Sequence, residues 1–115
     1  MESQQGDFSR PASVELHDHG ESGGAVVVAH GELVEMGISE DRRGALTVTK
    51  TVLPASASLT FDTSHIHEIV NLGPAPAVSV HVYAPRLTAM TYYEFSAGIL
   101  EARATVRYRL GTAIP

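Results

Sequence analysis

Short runs in which apolar and polar residues alternate are the feature that most constrains the fold of this 115-residue chain. Such alternation has the period of a half-buried β-strand, and glycine, proline or serine separates one run from the next. About seven or eight short strands with frequent turns indicate an all-β sandwich or small barrel and not a helical fold. The predicted strand regions are 24–36, in two segments across Gly31, 44–54, 58–61, 67–71, 77–85, 90–95 and 104–110.

The chain has the length of a single domain. Residues 1–13 contain Gly, Ser, Gln and Pro and show little periodicity, so we predict a flexible lead-in there and one domain over residues 14–115. The stretch AGILEARA (97–104) has a composition compatible with one helical turn, but we do not predict a helix in it. The sequence gives no indication of an oligomeric state.

The composition excludes several classes of protein. A formal net charge of −5 disfavours a general nucleic-acid binder, which would carry a basic patch. No apolar run is long enough to cross a bilayer and the N-terminus lacks a signal-peptide pattern, so we expect a cytoplasmic protein without a membrane partner. The chain has no cysteine, which excludes disulfides, zinc–thiolate sites and thiol catalysis. A bound metal would therefore have nitrogen and oxygen ligands.

Two pairs of histidines have the spacing i, i+2. In LHDHG, His17 and His19 point the same way only if the chain between them is extended, because strand side chains alternate. Two parallel imidazoles are costly when both are protonated and useful when both bind a cation. His65 and His67 repeat the spacing. A single histidine is more often a core or surface residue, but two such pairs favour a metal site.

The residues after each pair sharpen this interpretation. Four residues separate His19 from Gly24 and six separate Gly24 from Gly31, and Asn71 follows His67 in the pattern HxxxN. These spacings resemble the two motifs of the cupin superfamily, in which histidines from neighbouring strands of a small barrel hold one metal. The usual cupin places a glutamate ligand where this chain has glycine, so the expected site consists of three histidines without a carboxylate.

LHDHGESGG, followed by GELVE, HEIVN and PAVSVHVYAP, is similar to the cysteine dioxygenase family, the thiol dioxygenases of the cupin superfamily. The resemblance runs from about Val14 to Tyr93. It implies a cupin-like small antiparallel β-barrel, or double-sheet jelly roll, with an Fe(2+) cofactor and with a small thiol and O2 as substrates. It also implies a role for each of seven residues: His17, His19 and His67 as metal ligands, Ser79, His81 and Tyr83 as a catalytic relay, and His65 as a neighbour of the metal that does not bind it.

The relay residues also form a pattern of their own. In AVSVHVY, Ser79, His81 and Tyr83 face one way and the valines between them face the other. A surface-facing polar stripe on an antiparallel sheet is the common explanation of such a pattern. Beside a metal motif, a hydrogen-bonded row directed at the site is the better one. Asn71 is expected to fix a turn beside His67.

Two departures from the family bear on function. Gly24 stands where animal members carry the cysteine that is cross-linked to the relay tyrosine, so no cross-link can form here. Family members also have an arginine for the substrate carboxylate ahead of the first motif. Arg10 lies too near the motif to match it, and Arg42, Arg43 and Arg86 have no assigned role.

Two functions therefore remain open. The first is an iron-dependent thiol dioxygenase that converts a small thiol, with L-cysteine as the expected substrate, to its sulfinic acid. The second is a non-catalytic or differently catalytic metal-binding cupin that lacks the arginine for the substrate carboxylate. The SxHxY stripe favours the first, and the missing arginine favours the second.

Overall fold

A computed structural model describes residues 2–8, 12–109 and 112–114 of the chain. Strands account for most of them, and no helix long and apolar enough to cross a membrane occurs in this part of the chain. The strands are β1 (Glu2–Phe8), β2 (Ala12–His17), β3 (Gly23–His30), β4 (Leu33–Glu40), β5 (Leu46–Leu53), β6 (Ser58–Phe61), β7 (His67–Asn71), β8 (Ala77–Ala84), β9 (Ala89–Ser96), β10 (Ile99–Arg109) and β11 (Thr112–Ile114).

The strands form two antiparallel sheets. The smaller sheet has the order β1-β8-β3-β6, and the larger one has the order β11-β10-β9-β2-β7-β4-β5. In the larger sheet three neighbouring pairs are consecutive strands: β4–β5, β9–β10 and β10–β11. The other neighbours come from distant parts of the chain, as in the pairing of β1 with β8 in the smaller sheet, where Glu2 lies opposite Tyr83. In the larger sheet β2 lies between β7 and β9, and His17 is opposite both His67 and Tyr92.

The core lies between the two sheets, because each of its apolar clusters takes residues from both. One cluster joins Val28 of β3 and Ala77 of β8 to Leu33, Leu53 and Ile69 of the larger sheet. The other cluster consists of Val26, Phe61 and Tyr83 from the smaller sheet with Leu87 and, from β9, Met90. Burial of these side chains between the sheets supplies the main driving force for the fold.

The predicted all-β fold with antiparallel sheets is confirmed. Strands β6 and β7 have the predicted bounds, and the region 24–36 is divided into β3 and β4 at Gly31, whose φ is +78°. Glycine adopts this left-handed conformation without a steric penalty, which explains the break in an otherwise continuous apolar run.

The structure differs from the predicted strands at two places. Residues 97–104 contain the turn Ala97–Gly98, with φ of +52° and +78°, and the start of β10. Positive φ at both central residues is typical of a tight hairpin turn, which joins β9 directly to β10. In addition, β1 and the start of β2 lie within residues 1–13, where no strand was predicted. The division into a lead-in and a domain from residue 14 stays a prediction.

Candidate metal centre

Three buried histidines converge between the sheets, and they are the three that the sequence analysis named as metal ligands. His17, His19 and His67 are 3%, 1% and 0% exposed. Their ring centroids form a nearly equilateral triangle with sides of 4.8, 4.9 and 4.8 Å. One nitrogen of each ring lies within 4.8 Å of the corresponding nitrogens of the other two, and such a group could hold a metal ion.

His17 is held by the backbone of its own strand. It is the last residue of β2, and its Nδ1 lies 2.6 Å from the carbonyl oxygen of Glu15. A carbonyl oxygen only accepts hydrogen bonds, so Nδ1 carries the proton and Nε2 retains its lone pair. The lone pair of His17 is thereby available to an ion.

Asp18, the residue between the two histidines of the first pair, anchors the turn that follows β2. Its Oδ1 accepts hydrogen bonds from the backbone N–H of Gly20 and of Thr91, at 3.1 and 2.9 Å. Its Oδ2 accepts a hydrogen bond from the hydroxyl of Tyr93 at 2.7 Å. His19 itself lies beyond the end of β2. The hydrogen bonds of Asp18 tie the chain between the two histidines to β9, and the rings of His17 and His19 remain in contact.

His67 is oriented by a buried carboxylate that the sequence analysis did not identify. Its Nδ1 lies 2.7 Å from Oε2 of Glu35, and its Nε2 lies 3.1 Å from Nε2 of His19. The carboxylate only accepts, so Nδ1 of His67 donates and Nε2 presents a lone pair toward His19. Hydrogen bonds from metal-binding histidines to carboxylates are a general feature of metal sites.

Burial makes the three imidazoles neutral. Desolvation lowers the pKa of His17 to about 4, although the hydrogen bond to the Glu15 carbonyl acts in the opposite direction. Desolvation, followed by the charges of His17 and His67, lowers the pKa of His19 to about 2. Desolvation also lowers the pKa of His67, partly offset by Glu35. At neutral pH the cluster therefore offers lone pairs and not positive charge.

The donor set fits a divalent transition-metal ion. Imidazole nitrogens suit iron, zinc, copper and nickel, whereas calcium and magnesium require oxygen ligands. Nδ1 of His19 has no hydrogen-bond partner among the described residues, although it is buried. Buried polar groups are usually paired, so this unpaired nitrogen is unusual. The Nε2 atoms of His19 and His67 face each other, and a hydrogen bond between them needs a proton on one of the two. A metal ion bound by both nitrogens would take the place of that proton.

The metal-free protein should lose stability as the pH falls from about 6.5 to about 5. Because the folded-state pKa values lie below 6.5, the unfolded chain binds more protons than the folded chain in this range. Each such histidine can then remove up to ~1.4 kcal/mol of unfolding free energy per pH unit. Urea unfolding at several pH values measures the slope. His30→Gln, which alters an exposed histidine, should leave it unchanged, and a flat profile in the parent would contradict the burial argument.

The polar stripe of β8 faces the interior. Ser79 is 0% and Tyr83 is 2% exposed, and His81 is half-buried between them. The Oγ of Ser79 lies 2.8 Å from Nε2 of His81. The ring of Tyr83 lies 6.4 Å from that of His81 and 5.7 Å from that of His19. The alternation on β8 thus brings the stripe beside the histidine cluster, and the catalytic roles of its residues stay predictions.

Other sequence expectations can also be compared with the structure. Nε2 of His65 lies 2.8 Å from Oε2 of Glu35, so His65 contacts the same carboxylate as His67. Asn71 fixes a turn as expected: its side chain donates to the carbonyl of Ala75 and accepts from the N–H of Gly73.

At Gly24, a Cβ atom would clash with the carbonyl oxygen of Val82 on the neighbouring strand. The close approach of these strands explains why a glycine occupies this position.

A groove of about 590 Å³ lies on the other face of the larger sheet. Its lining includes Leu16, Met36 and Glu68, which alternate along their strands with His17, Glu35 and His67. The groove is therefore separated from the histidine cluster by the sheet itself.

Comparisons with known proteins agree with this architecture. The family model of cysteine dioxygenase type I matches residues 9–96. None of the curated proteins matches the chain. Among solved structures, the chain is similar to Drosophila melanogaster CENP-C bound to CAL1, with a TM-score of 0.64 and 13% identity over 71% of this chain and 60% of that one.

Two further structures share the fold. Oxalate oxidase in complex with glycolate has a TM-score of 0.63 and 20% identity over 70% of this chain and 40% of that one. A cupin-superfamily sugar phosphate isomerase from Silicibacter pomeroyi has a TM-score of 0.62 and 21% identity over 91% of this chain and 66% of that one. The chain thus spans about two thirds or less of the length of these three proteins, and at such identities the likeness shows a cupin fold alone.

Proposed function

Because the chain belongs to the cysteine dioxygenase type I family, we propose that it is a cytoplasmic, iron-dependent thiol dioxygenase. The reaction is R–SH + O2 → R–SO2H, in which both oxygen atoms are added to the sulfur of a small thiol, with L-cysteine as the expected substrate. The observation that carries this proposal is the convergence of three neutral, buried imidazoles beside the inward-facing stripe of β8. A site for a metal alone would have no use for that stripe.

His17, His19 and His67 would hold the iron. With three neutral ligands, a bound Fe(2+) would keep its full charge, would lower the pKa of a coordinating thiol and would allow the thiol and O2 to react at one centre. The three imidazoles are themselves held in place, since two of them donate hydrogen bonds from Nδ1 and His19 stacks on Phe61 at 4.2 Å between ring centroids.

The residues of β8 would serve the substrates. The phenol hydroxyl of Tyr83 would donate a hydrogen bond to O2 or to the substrate. The hydroxyl of Ser79 would hold the imidazole of His81, which would in turn keep Tyr83 in place. Ser79 and His81 are positioning residues in this scheme, and Tyr83 is the catalytic residue.

A metal-binding cupin without thiol oxidation is the second candidate. The Lys and Arg side chains that the structure describes are all exposed: Arg42, Arg43, Lys50, Arg86, Arg103, Arg107 and Arg109. Arg10 lies outside the described residues. Among the described residues, therefore, no buried lysine or arginine could pair with a substrate carboxylate. This observation favours the metal-binding cupin.

An aerobic assay of the iron-loaded protein with cysteine, homocysteine, cysteamine and 3-mercaptopropionate separates the two functions. We expect at least one thiol to yield its sulfinic acid, with one O2 consumed for each product molecule. Oxygen uptake and mass spectrometry of the product measure this ratio. The metal-free protein is the control. If the protein holds a full complement of iron and oxidises none of the four thiols, the metal-binding cupin replaces the dioxygenase.

A further inference from the structure

Glu35 is a buried acidic residue outside the predicted set of ligands. It lies on β4 and is 3% exposed, on the same strand face as the core residue Leu33. A buried carboxylate is costly unless hydrogen bonds compensate for its lost hydration. Burial would raise the pKa of Glu35, but hydrogen bonds from His65 and His67 outweigh that effect and lower the pKa to about 2. The carboxylate is therefore ionised.

Both hydrogen bonds to Glu35 end on the same oxygen. Nδ1 of His67 lies 2.7 Å and Nε2 of His65 lies 2.8 Å from Oε2. Each of these nitrogens must carry its proton, since a carboxylate cannot donate. Because the Nδ1 position of His67 is protonated, its Nε2 presents a lone pair to the centre of the histidine cluster. Glu35 thus selects the tautomer that a metal ligand requires.

Strand β4, which pairs with β7, leaves space for these hydrogen bonds at Gly37. Gly37 of β4 lies opposite His67 in the strand register. A Cβ atom at Gly37 would lie 3.0 Å from Oγ1 of Thr49, and 3.6 Å from both Oε1 of Glu35 and Cε1 of His65. The missing side chain leaves the space in which the Glu35 and His65 side chains meet.

We propose that Glu35 is a positioning residue of the metal centre, and that His65 holds it in place. Glu35 fixes the ring of His67 and supplies, across that one imidazole, the negative charge that three neutral ligands lack. This inference rests on the proposed metal site but not on catalysis. Losing such an outer contact of a metal-binding histidine typically weakens metal affinity by about 10–100-fold.

Cobalt(II) affinity tests the proposal without any turnover. Competition with a chromophoric chelator should show about 10–100-fold weaker binding by Glu35→Gln, because the amide keeps an acceptor oxygen but no charge. Glu35→Ala, which loses both, should bind still more weakly. Glu68→Gln is the matched control, since this glutamate adjoins His67 but faces the groove on the other side of the sheet. Its affinity should equal that of the parent.

The tautomer of His67 provides a second measurement. Long-range ¹H–¹⁵N NMR of the metal-free parent should show Nδ1 of His67 protonated, and Glu35→Ala should redistribute that proton between the two nitrogens. A merely structural role of Glu35 would leave the tautomer unchanged. If Glu35→Gln fails to fold, His65→Gln carries the test, because this side chain is 26% exposed and donates to the same oxygen. Its loss of affinity should fall at the lower end of the range.

Three outcomes would overturn the proposal. Parent-like cobalt affinity in the glutamine variant would show that the charge of Glu35 has no effect on the ion. Two cobalt ions per chain, with only the second lost in Glu35→Gln, would make Glu35, His65 and His67 a metal site of their own. If the parent protein binds no cobalt, the proposed metal site is wrong, and the proposed function is wrong as well.

Discussion

His67→Ala is expected to abolish stoichiometric metal binding. Both ring nitrogens of His67 have contacts: one faces His19, and the other is held by Glu35. With only two imidazoles left, the affinity for a first-row ion should fall below the level that survives purification, since three protein ligands define such sites. Metal content per chain after loading with iron, nickel or cobalt is the measurement, because raw affinity does not favour iron over the others.

The control for this experiment is His30→Ala, which removes an exposed histidine and should retain the parent stoichiometry. Circular dichroism must show that the β fold persists in both variants, since His67 is fully buried. His67→Gln, which fills more of the space than alanine, should lose the metal as well. A full complement of metal in a folded His67→Ala protein would show that the third ligand is another residue.

Tyr83→Phe is expected to keep the metal and the fold but to lose turnover. The phenol lies beside His19 in the second apolar cluster, so the change removes one hydroxyl from a packed interior. Hydrogen-bonding or acid–base assistance of this kind is typically worth ~10²–10⁴-fold. Without a cross-link to the tyrosine, we expect the lower half of that range. Sulfinate formation and oxygen uptake per bound iron measure the loss.

Two further variants show what Tyr83 does. His81→Ala should act through Tyr83, so the double variant should be little worse than the worse single one, because residues that act as a unit are non-additive. Tyr93→Phe is the contrasting variant: the hydroxyl of Tyr93 holds Asp18, the residue between His17 and His19, so this change should lower metal occupancy and not turnover per iron. If Tyr83→Phe oxidises a thiol as fast as the parent, the stripe is structural.

The predicted fold came from local patterns, and the differences arise where distant contacts decide the structure. The apolar runs of β3 to β9 have the period of strands, so the sequence alone predicted them. The sequence of β1, ESQQGDF, has almost no apolar residues, and its strand conformation comes from pairing with β8. The start of β10, ILEARA, is rich in residues that favour helices, but the turn at Ala97–Gly98 fixes it in a hairpin. Tertiary context overrides propensity at both places.

The candidate site was also predictable where local sequence patterns define it, and not where distant contacts do. Paired histidines are visible in the sequence, and the family resemblance named the third member of the cluster. Glu35 was not found, because a glutamate in a strand is usually taken for a solvent-facing residue. Its spacing from Leu33 places it on the apolar face of β4, which is the available signal. The sequence indicated no role for Asp18, because two of its three partners, Thr91 and Tyr93, lie more than seventy residues away along the chain.

The topology of the sheets bears on whether this protein folds before or after it binds a metal ion. His19 and His67 are 48 residues apart, and Asp18 is joined to Thr91 across 73 residues. Loops of this length must close before the histidines meet, and β proteins with such distant contacts typically fold in milliseconds to seconds. The isolated LHDHG segment offers only two of the three imidazoles, so the full donor set forms only once β7 is in place. We therefore expect newly made chains to close into the two-sheet fold first, and a metal ion to bind afterwards to a site that the closed fold has already assembled.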